Sequence, residues 1–259
     1  MAAGLVCCLG LLAACDGSSD GGSTTTSRNP PPVTQGASSP GAALSGKVIV
    51  VDPGHNGGNA SHPDEINKQV FIGNGHKPCN TTGTSTPDGY SEHAFTWDVS
   101  NRLAKLLRAA GAKVTLTRKN DTGVGPCVTE RAAIGNRLHA DAALSIHGDG
   151  AAPSGHGFHV IVPKPVGKNA GIVTASGRLG VAIRNAYRSG TGIPYATYVG
   201  KDGLDTRSDL GGLNMSTVPA AFIECGNMQN PGDAAKMESA AFRQRMAESL
   251  EKGFENYLG

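Results

Sequence analysis

Short apolar runs alternate along the chain with longer stretches in which apolar residues recur every three or four positions. The short runs predict buried strands, and the helical spacing predicts amphipathic helices. The predicted strands cover residues 47–51, 113–117, 142–146, 157–162 and 218–223. The predicted helices cover residues 92–110, 128–138, 176–189 and 234–258. This alternation predicts an α/β fold, a single domain with a mostly parallel or mixed central sheet flanked by helices.

The first predicted helix carries a carboxylate on its apolar face. Ser91 is a typical N-cap, and Gly111 closes the helix. Its apolar stripe consists of Phe95, Val99, Leu103, Leu106 and Ala110. Extending that stripe back by three residues reaches Glu92, which therefore faces inward. A buried carboxylate needs a cation or strong hydrogen-bond donors, although Glu92 could also serve only to complement the helix dipole.

Three of the predicted strands run directly into residues that can carry chemistry, namely His55, His147 and Glu224. Ligands of open α/β sheets bind at the carboxyl ends of strands. If these strands are neighbours, the three residues converge with Glu92 at one edge of the sheet. Two imidazoles and one carboxylate match a catalytic zinc site, and a second carboxylate outside the metal shell can act as general base.

Four sequence motifs carry a family resemblance: Val51-Asp52-Pro53-Gly54-His55, Ser91-Glu92, Ser145-Ile146-His147 and Phe222-Ile223-Glu224-Cys225-Gly226-Asn227. Over residues 46–258 the chain resembles the zinc-dependent N-acetylmuramoyl-L-alanine amidases of the amidase-3 type. The resemblance implies His55, Glu92 and His147 as ligands of Zn²⁺ and Glu224 as the catalytic residue. It also implies hydrolysis of the amide bond between N-acetylmuramic acid and L-alanine, with peptidoglycan or muramyl peptides as substrate.

The N-terminal part of the chain predicts export. Residues 1–15 are apolar, end in Leu12-Ala13-Ala14-Cys15 and resemble a secretory leader with a lipoprotein-type cysteine, although a disordered Ala-rich start is the alternative. Residues 16–45 are rich in Gly, Ser, Thr and Pro and predict a disordered linker. Residues 46–259 form the predicted catalytic domain. We expect a protein of the periplasm or cell envelope, with a lipid anchor at Cys15 as its only membrane contact.

Composition limits the classes of binding partner, and the cysteines predict a disulfide. The net charge of +2 and the absence of a basic stripe argue against nucleic acid, and we expect a monomer. Cys79 and Cys127 lie in loop-like stretches and could pair outside the cytoplasm, so we predict a disulfide between them. Cys225 lies in an apolar strand and is expected to be a buried free thiol.

The loop at 59–90 is long enough to be functional and is expected to form a hairpin or flap beside the site. His93 points away from the apolar stripe of its helix and is expected at the surface or in contact with a site residue. The other histidines are expected to be structural or solvated, and they are His62, His76, His139, His156 and His159. Three alternative functions remain at this point: a zinc exopeptidase, a catalytically silent wall-binding protein with the same fold, and a cysteine hydrolase that uses Cys225. The last is disfavoured, because Cys225 must point to the opposite face of the strand from Glu224.

Overall fold

The folded part begins before the predicted boundary at residue 46. The computed structural model describes residues 43–259, so the predicted leader and residues 16–42 of the predicted linker lie outside the described residues. Leu44 is fully buried in the main core, and its backbone N–H donates to the carbonyl of Ala110 over 3.0 Å. One leucine in a Gly- and Ser-rich stretch has no periodicity, so the sequence pattern did not reveal its burial.

A six-stranded mixed sheet lies at the centre of the domain, in the order β4-β1-β5-β8-β6-β7, and a two-stranded hairpin, β2-β3, stands apart. In chain order the strands are β1 (Val48–Pro53), β2 (Gln69–Phe71), β3 (His76–Pro78), β4 (Lys113–Leu116), β5 (Ala142–Asp149), β6 (His159–Pro163), β7 (Leu204–Arg207) and β8 (Ala220–Asn227). Strands β4, β1, β5 and β8 run parallel, whereas β6 and β7 run the other way. The predicted fold class is confirmed.

Helices cover both faces of the sheet. In chain order they are α1 (Pro63–Ile66), α2 (Glu92–Ala109), α3 (Val128–Arg137), α4 (Val173–Thr191), α5 (Gly211–Asn214), α6 (Pro231–Glu238) and α7 (Ala240–Leu258), with 3₁₀ turns at Asn59–Ser61 and Gly167–Ile172. Helices α2, α4 and α7 pack on one face over the main core, and α3 and α5 pack on the other. Among residues 43–259, none of the helices combines the length and the apolar character needed to cross a bilayer.

The alternation of side chains along β5 assigns the site to one face. Leu144 and Ile146 are fully buried in the main core beneath α2. Because successive side chains of a strand point to opposite faces, Ser145 and His147 face the side that carries α3 and α5. Glu224 of β8 pairs in register with His147 and therefore lies on this same face, opposite the main core.

Two predictions from periodicity need correction. The predicted helix at 234–258 is two helices, α6 and α7, because Ser239 adopts an extended backbone and caps the second helix, its Oγ accepting from the N–H of Phe242. Strand β7 was not predicted, since Leu204–Arg207 has too few apolar residues to give a strand pattern.

The long loop at 59–90 contains the hairpin and a disulfide. Cys79 follows β3 and is bonded to Cys127 across a sequence separation of 48 residues, as predicted. The N–H of Val128, the first residue of α3, donates to the carbonyl of Cys79 over 2.9 Å. The loop is thereby fixed to the start of α3. Cys225 is a buried free cysteine, which also agrees with the prediction.

Replacing Cys79 and Cys127 together by serine is expected to lower the free energy of unfolding by roughly 2–4 kcal/mol, because the open chain gains conformational entropy in the unfolded state. Urea unfolding of the parent and of the variant, each with and without reductant, measures the loss. Reductant should destabilise the parent and leave the variant unchanged. A parent that is insensitive to complete reduction would show that the bridge contributes nothing to stability.

Candidate active site

Three predicted ligand residues meet at one edge of the sheet. His55 lies two residues beyond β1, Glu92 opens α2, and His147 lies near the end of β5. Each offers one ligand atom, and these atoms all lie within 4.8 Å of one another. Glu92 Oε1 is 3.1 Å from His55 Nε2 and 2.9 Å from His147 Nδ1. The structure therefore brings together the residues that the sequence pattern placed at separate strand and helix ends.

The carboxylate of Glu92 is buried but fully supplied with donors. Its Oε2 accepts from the backbone N–H of Thr84 over 2.9 Å, and its Oε1 accepts from that of Gly148 over 3.1 Å. Burial alone would raise the pKa of Glu92, but the imidazole of His55 and the hydrogen bond from His147 outweigh it and hold the pKa well below its usual range. Glu92 is therefore ionised, as a metal ligand must be.

The imidazole of His55 is oriented by a backbone carbonyl. Its Nδ1 donates to the carbonyl of Thr81 over 2.9 Å, which leaves Nε2 facing Glu92. Metal-ligating histidines commonly donate their second ring nitrogen in this way, and the contact fixes the tautomer. His55 has a φ of 58°, a left-handed conformation that costs energy for a residue other than glycine. Such a conformation persists only where surrounding contacts enforce it.

The ring of His147 occupies space that a glycine leaves open. A Cβ on Gly54 would lie 2.3 Å from the Cε1 atom of His147, so any larger residue would displace the ring. On its other side the ring stacks on Phe222 with a centroid distance of 4.0 Å and an interplanar angle of 14°. Burial lowers the pKa of His147, which favours the neutral imidazole that binds metals.

Residues 81–84 belong to the long loop that was expected beside the site, and they form a wall of the site through contacts that the sequence did not indicate. Gly83 has a φ of +79°, and a Cβ on it would lie 2.7 Å from Glu92 Oε2 and 2.9 Å from His55 Cδ2. The segment therefore requires glycine at this position to approach both Glu92 and His55. Because its contacts to His55 and Glu92 come from the backbone carbonyl of Thr81 and the backbone N–H of Thr84, side-chain patterns gave no signal for them.

Buried charges hold the end of β1 in place. Arg131, from α3, donates to Asp52 Oδ1 over 2.7 Å and to the carbonyls of Pro53 and His55 over 2.6 and 2.9 Å. Asp52 also accepts from the hydroxyls of Thr117 and Ser145. Burial alone would raise the pKa of Asp52, but the Arg131 guanidinium and these hydrogen bonds lower it to about 2. This network fixes the turn that presents His55.

Glu224 lies beside the three candidate ligands and is not one of them. It pairs with His147 across β5 and β8, so both side chains are on the same face of the sheet. Its Oε2 is buried and has no hydrogen-bond partner among residues 43–259. Burial, together with the negative charges of Glu92 and Asp149, raises the pKa of Glu224 well above its usual value. The environment thus favours a group that exchanges a proton.

A cavity of about 350 Å³ opens beside these residues. The four site residues line this cavity together with Lys77 and Asp209, which are paired over 2.9 Å. Its apolar lining comes mainly from the sheet face and from α3 and α5, namely Val50, Val128, Ala132, Leu213 and Phe222. Such a mixture suits a ligand that has both polar and apolar parts.

Cys225 is excluded as a nucleophile by its position. The side chain belongs to the main core and is fully buried there, on the opposite face from Glu224. Burial raises the pKa of its thiol well above the ordinary value. A thiol that is shielded from the cavity and held in its protonated form cannot attack a substrate.

Two of the remaining histidines, His93 and His159, have contacts or surroundings that the sequence did not predict. His93 Nδ1 is 2.8 Å from Asp121 Oδ2, outside the ligand cluster. His159 is 2% exposed and lies opposite Glu224 in the pairing of β6 with β8. It is therefore a buried neighbour of the site, and only the reversed direction of β6 reveals this.

The chemistry of the donor set fits a zinc ion. Two imidazoles and one carboxylate form a known catalytic zinc arrangement that leaves a coordination position for water. His55, Glu92 and His147 supply this set with ligand atoms already gathered, with Glu92 ionised and with His55 held in a ligating tautomer. We therefore describe the cluster as a candidate metal site of the His₂Glu type.

Comparison with known proteins gives one consistent result. Residues 49–256 match the family model described as N-acetylmuramoyl-L-alanine amidase. The chain is 44% identical over 227 residues to the N-acetylmuramoyl-L-alanine amidase Rv3717 of Mycobacterium tuberculosis. The aligned residues cover 87% of this chain and 92% of that protein. The N-acetylmuramyl-L-alanine amidase Ami1 of Mycobacterium smegmatis superposes with a TM-score of 0.79 at 42% identity, covering 83% of this chain and 98% of Ami1. The apo form of Ami1 from Mycobacterium abscessus superposes with a TM-score of 0.78 at 40% identity, covering 83% and 100%.

Asp52→Asn is expected to lower the free energy of unfolding at pH 7 by about 2 kcal/mol, because the folded protein holds the pKa of Asp52 at about 2 against an ordinary 3.8. A carboxyl group with a lowered pKa stabilises the folded state above about pH 4 and loses this contribution as the pH falls towards 2. Urea unfolding between pH 7 and pH 2.5 should therefore show the two proteins converging.

The matched control is Asp88→Asn, a substitution in an exposed loop. It should leave the free energy of unfolding unchanged. If the deficit of Asp52→Asn stays constant across the pH range, the loss comes from packing and not from the ionised carboxylate.

Proposed function

The chain belongs to the N-acetylmuramoyl-L-alanine amidase family, and we propose that it hydrolyses the amide bond between N-acetylmuramic acid and the L-alanine of the peptidoglycan stem peptide. The observation that carries the proposal is the cluster of His55, Glu92 and His147, with Glu224 next to it on one wall of the cavity. Hydrolysis of an amide needs a polarised carbonyl, an activated water molecule and a proton donor for the leaving amine. The cluster and Glu224 together can supply all three.

We propose His55, Glu92 and His147 as the ligands of a zinc ion. When bound there, zinc would polarise the amide carbonyl and lower the pKa of a water molecule. The ionised Glu92 and the neutral His147 supply ligand atoms in the required protonation states. The backbone contacts of Thr81 and Thr84 hold two of the ligands in register.

Glu224 has the role of general acid and base in this proposal. Its carboxylate accepts the proton of the attacking water and then donates that proton to the nitrogen of the departing L-alanine. A group that performs both steps needs a pKa near the working pH, and its burial beside Glu92 and Asp149 moves the pKa of Glu224 in that direction.

We further propose that the protein acts outside the cytoplasm, in the periplasm or cell envelope, where its substrate lies. The leader at 1–15, the linker that begins at residue 16, the lipid anchor at Cys15 and the monomeric state are parts of this proposal that rest on the sequence. The disulfide between Cys79 and Cys127 supports an oxidising compartment. Membrane fractionation of the parent and of Cys15→Ser tests the anchor, and the variant should leave the membrane fraction.

Alanine in place of His55, Glu92 or His147 is expected to abolish zinc binding and activity together, because two remaining ligands hold the ion too weakly. Atomic spectroscopy of the purified variants gives the metal content, and release of stem peptides from peptidoglycan gives the activity. His139→Asn is the matched control, since His139 is exposed with a φ of 47° that asparagine tolerates. A Glu92→Ala protein with full zinc occupancy would show that Glu92 is only a helix-terminal charge.

Glu224→Gln is expected to keep zinc but to lower turnover by about 10²–10⁴-fold, because the amide cannot accept the proton of water. Mass spectrometry of digested muramyl peptides measures turnover, and calorimetric titration measures muramyl dipeptide binding, which should survive within a few-fold. Wild-type rates in this variant would remove Glu224 from the mechanism. A parent that binds peptidoglycan but never cleaves it with added zinc would make the protein a wall-binding module.

A further inference from the structure

A row of residues on one face crosses the sheet at the level of the candidate ligands. Strand β5 pairs His147 with Glu224 of β8, and β8 in turn pairs Glu224 with His159 of β6. Residues paired in register point to the same face and bring their Cβ atoms to within about 5.5 Å. Because β6 runs antiparallel to β8, its first residue lies at the same edge as the ends of β5 and β8. Glu224 therefore has a histidine on each side, one from the candidate metal cluster and one outside it.

His159 and Glu224 both carry buried atoms that lack hydrogen-bond partners. Among residues 43–259, no group bonds to His159 Nδ1 or to Glu224 Oε2, and both atoms are shielded from solvent. Buried polar atoms in native proteins nearly always have partners. An imidazole N–H donates and a carboxylate oxygen accepts, so the two unpaired groups are complementary in chemistry and adjacent in the sheet.

We propose that His159 is a positioning residue for Glu224: its Nδ1–H donates to one buried water molecule, which donates in turn to Glu224 Oε2 and holds the carboxylate towards the candidate metal ligands. The inference rests on the proposed amidase function. His159 does not line the cavity, which Glu224 does, so the histidine acts behind the carboxylate and does not touch the substrate.

The surroundings of His159 favour a neutral ring that offers one N–H. Burial lowers its pKa, the nearby carboxylates of Asp149 and Asp205 act in the opposite sense, and Arg207 adds to the lowering. The ring of Tyr198 lies edge-on at a centroid distance of 6.2 Å, and its hydroxyl is also buried without a partner among the described residues. Tyr198 is thus the competing partner for His159, and the test must separate it from Glu224.

The test is a double-mutant cycle between His159→Leu and Glu224→Gln in the full-length, zinc-loaded protein with muramyl dipeptide as substrate. His159→Leu should lower kcat by about 10–100-fold, the usual effect of losing an outer-shell partner, with KM and zinc content unchanged. His159→Asn should recover part of the loss, because its amide N–H₂ reaches the position of Nδ1. In the Glu224→Gln background, His159→Leu should have no further effect, because residues that act as a unit are not additive.

Val160→Ala is the control for a loss of packing, since Val160 is the next residue of β6, fully buried on the opposite face. It should lower Tm while leaving kcat unchanged. Equal effects of His159→Leu on kcat with and without Glu224→Gln would overturn the proposal. So would a loss of kcat in Tyr198→Phe that matches the loss in His159→Leu, because the histidine would then serve the tyrosine.

An NMR measurement that does not depend on catalysis tests the role of His159 independently of the proposed function. ¹⁵N NMR of the histidine side chains should show the proton of His159 on Nδ1, with the signal identified by its absence in His159→Asn. Glu224→Leu should shift the Nδ1 resonance. If the Nδ1 resonance does not shift, the inference is overturned even if the protein is an active amidase. If the resonance shifts in a protein that cleaves no muramyl peptide, the inference is supported and only the proposed activity is removed.

Discussion

The carboxylate of Glu92 is buried at a point where three segments of the chain meet. Because it is buried, the residues around it must stabilise its charge. An ionised carboxylate removed from water destabilises a protein unless donors or cations replace its hydration. Here the backbone N–H groups of Thr84 and Gly148 and the imidazoles of His55 and His147 take that place. These partners come from three regions of the chain, so the helix start, the strand ends and the loop must all be fixed together.

A disulfide and a buried arginine fix these segments of the chain relative to one another. The disulfide between Cys79 and Cys127 joins the segment before Thr81 to the start of α3, and the same helix supplies Arg131, which binds the end of β1. One short helix is therefore coupled to both the loop that orients His55 and the turn that carries it. This coupling explains how His55 keeps a left-handed backbone, whose cost must be balanced by contacts elsewhere.

The sequence predicted that His55, Glu92 and His147 would lie together because they sit where general rules apply, at the carboxyl ends of parallel strands and on the inward stripe of a helix. It did not predict the features that depend on the direction of a strand or on hydrogen bonds made by backbone atoms. The reversal of β6 leaves no trace in hydrophobic periodicity, so His159 looked like an ordinary strand-flanking histidine until its pairing with Glu224 was known. The contacts of Thr81 and Thr84 are made by backbone atoms, which no residue type encodes. The break at Ser239 was missed because the apolar pattern continues through it, and only the extended backbone and cap divide the helix.

The two glutamates of the site show how surroundings, and not residue type, assign chemical roles. Both are buried at the same edge of the sheet, yet their pKa values move in opposite directions. Glu92 is surrounded by donors and imidazoles that stabilise its charge, whereas Glu224 faces two other carboxylates and has an unpaired oxygen. In the proposed mechanism, a pair of carboxylates separated in this way divides into a permanent anion, Glu92, and a proton carrier, Glu224.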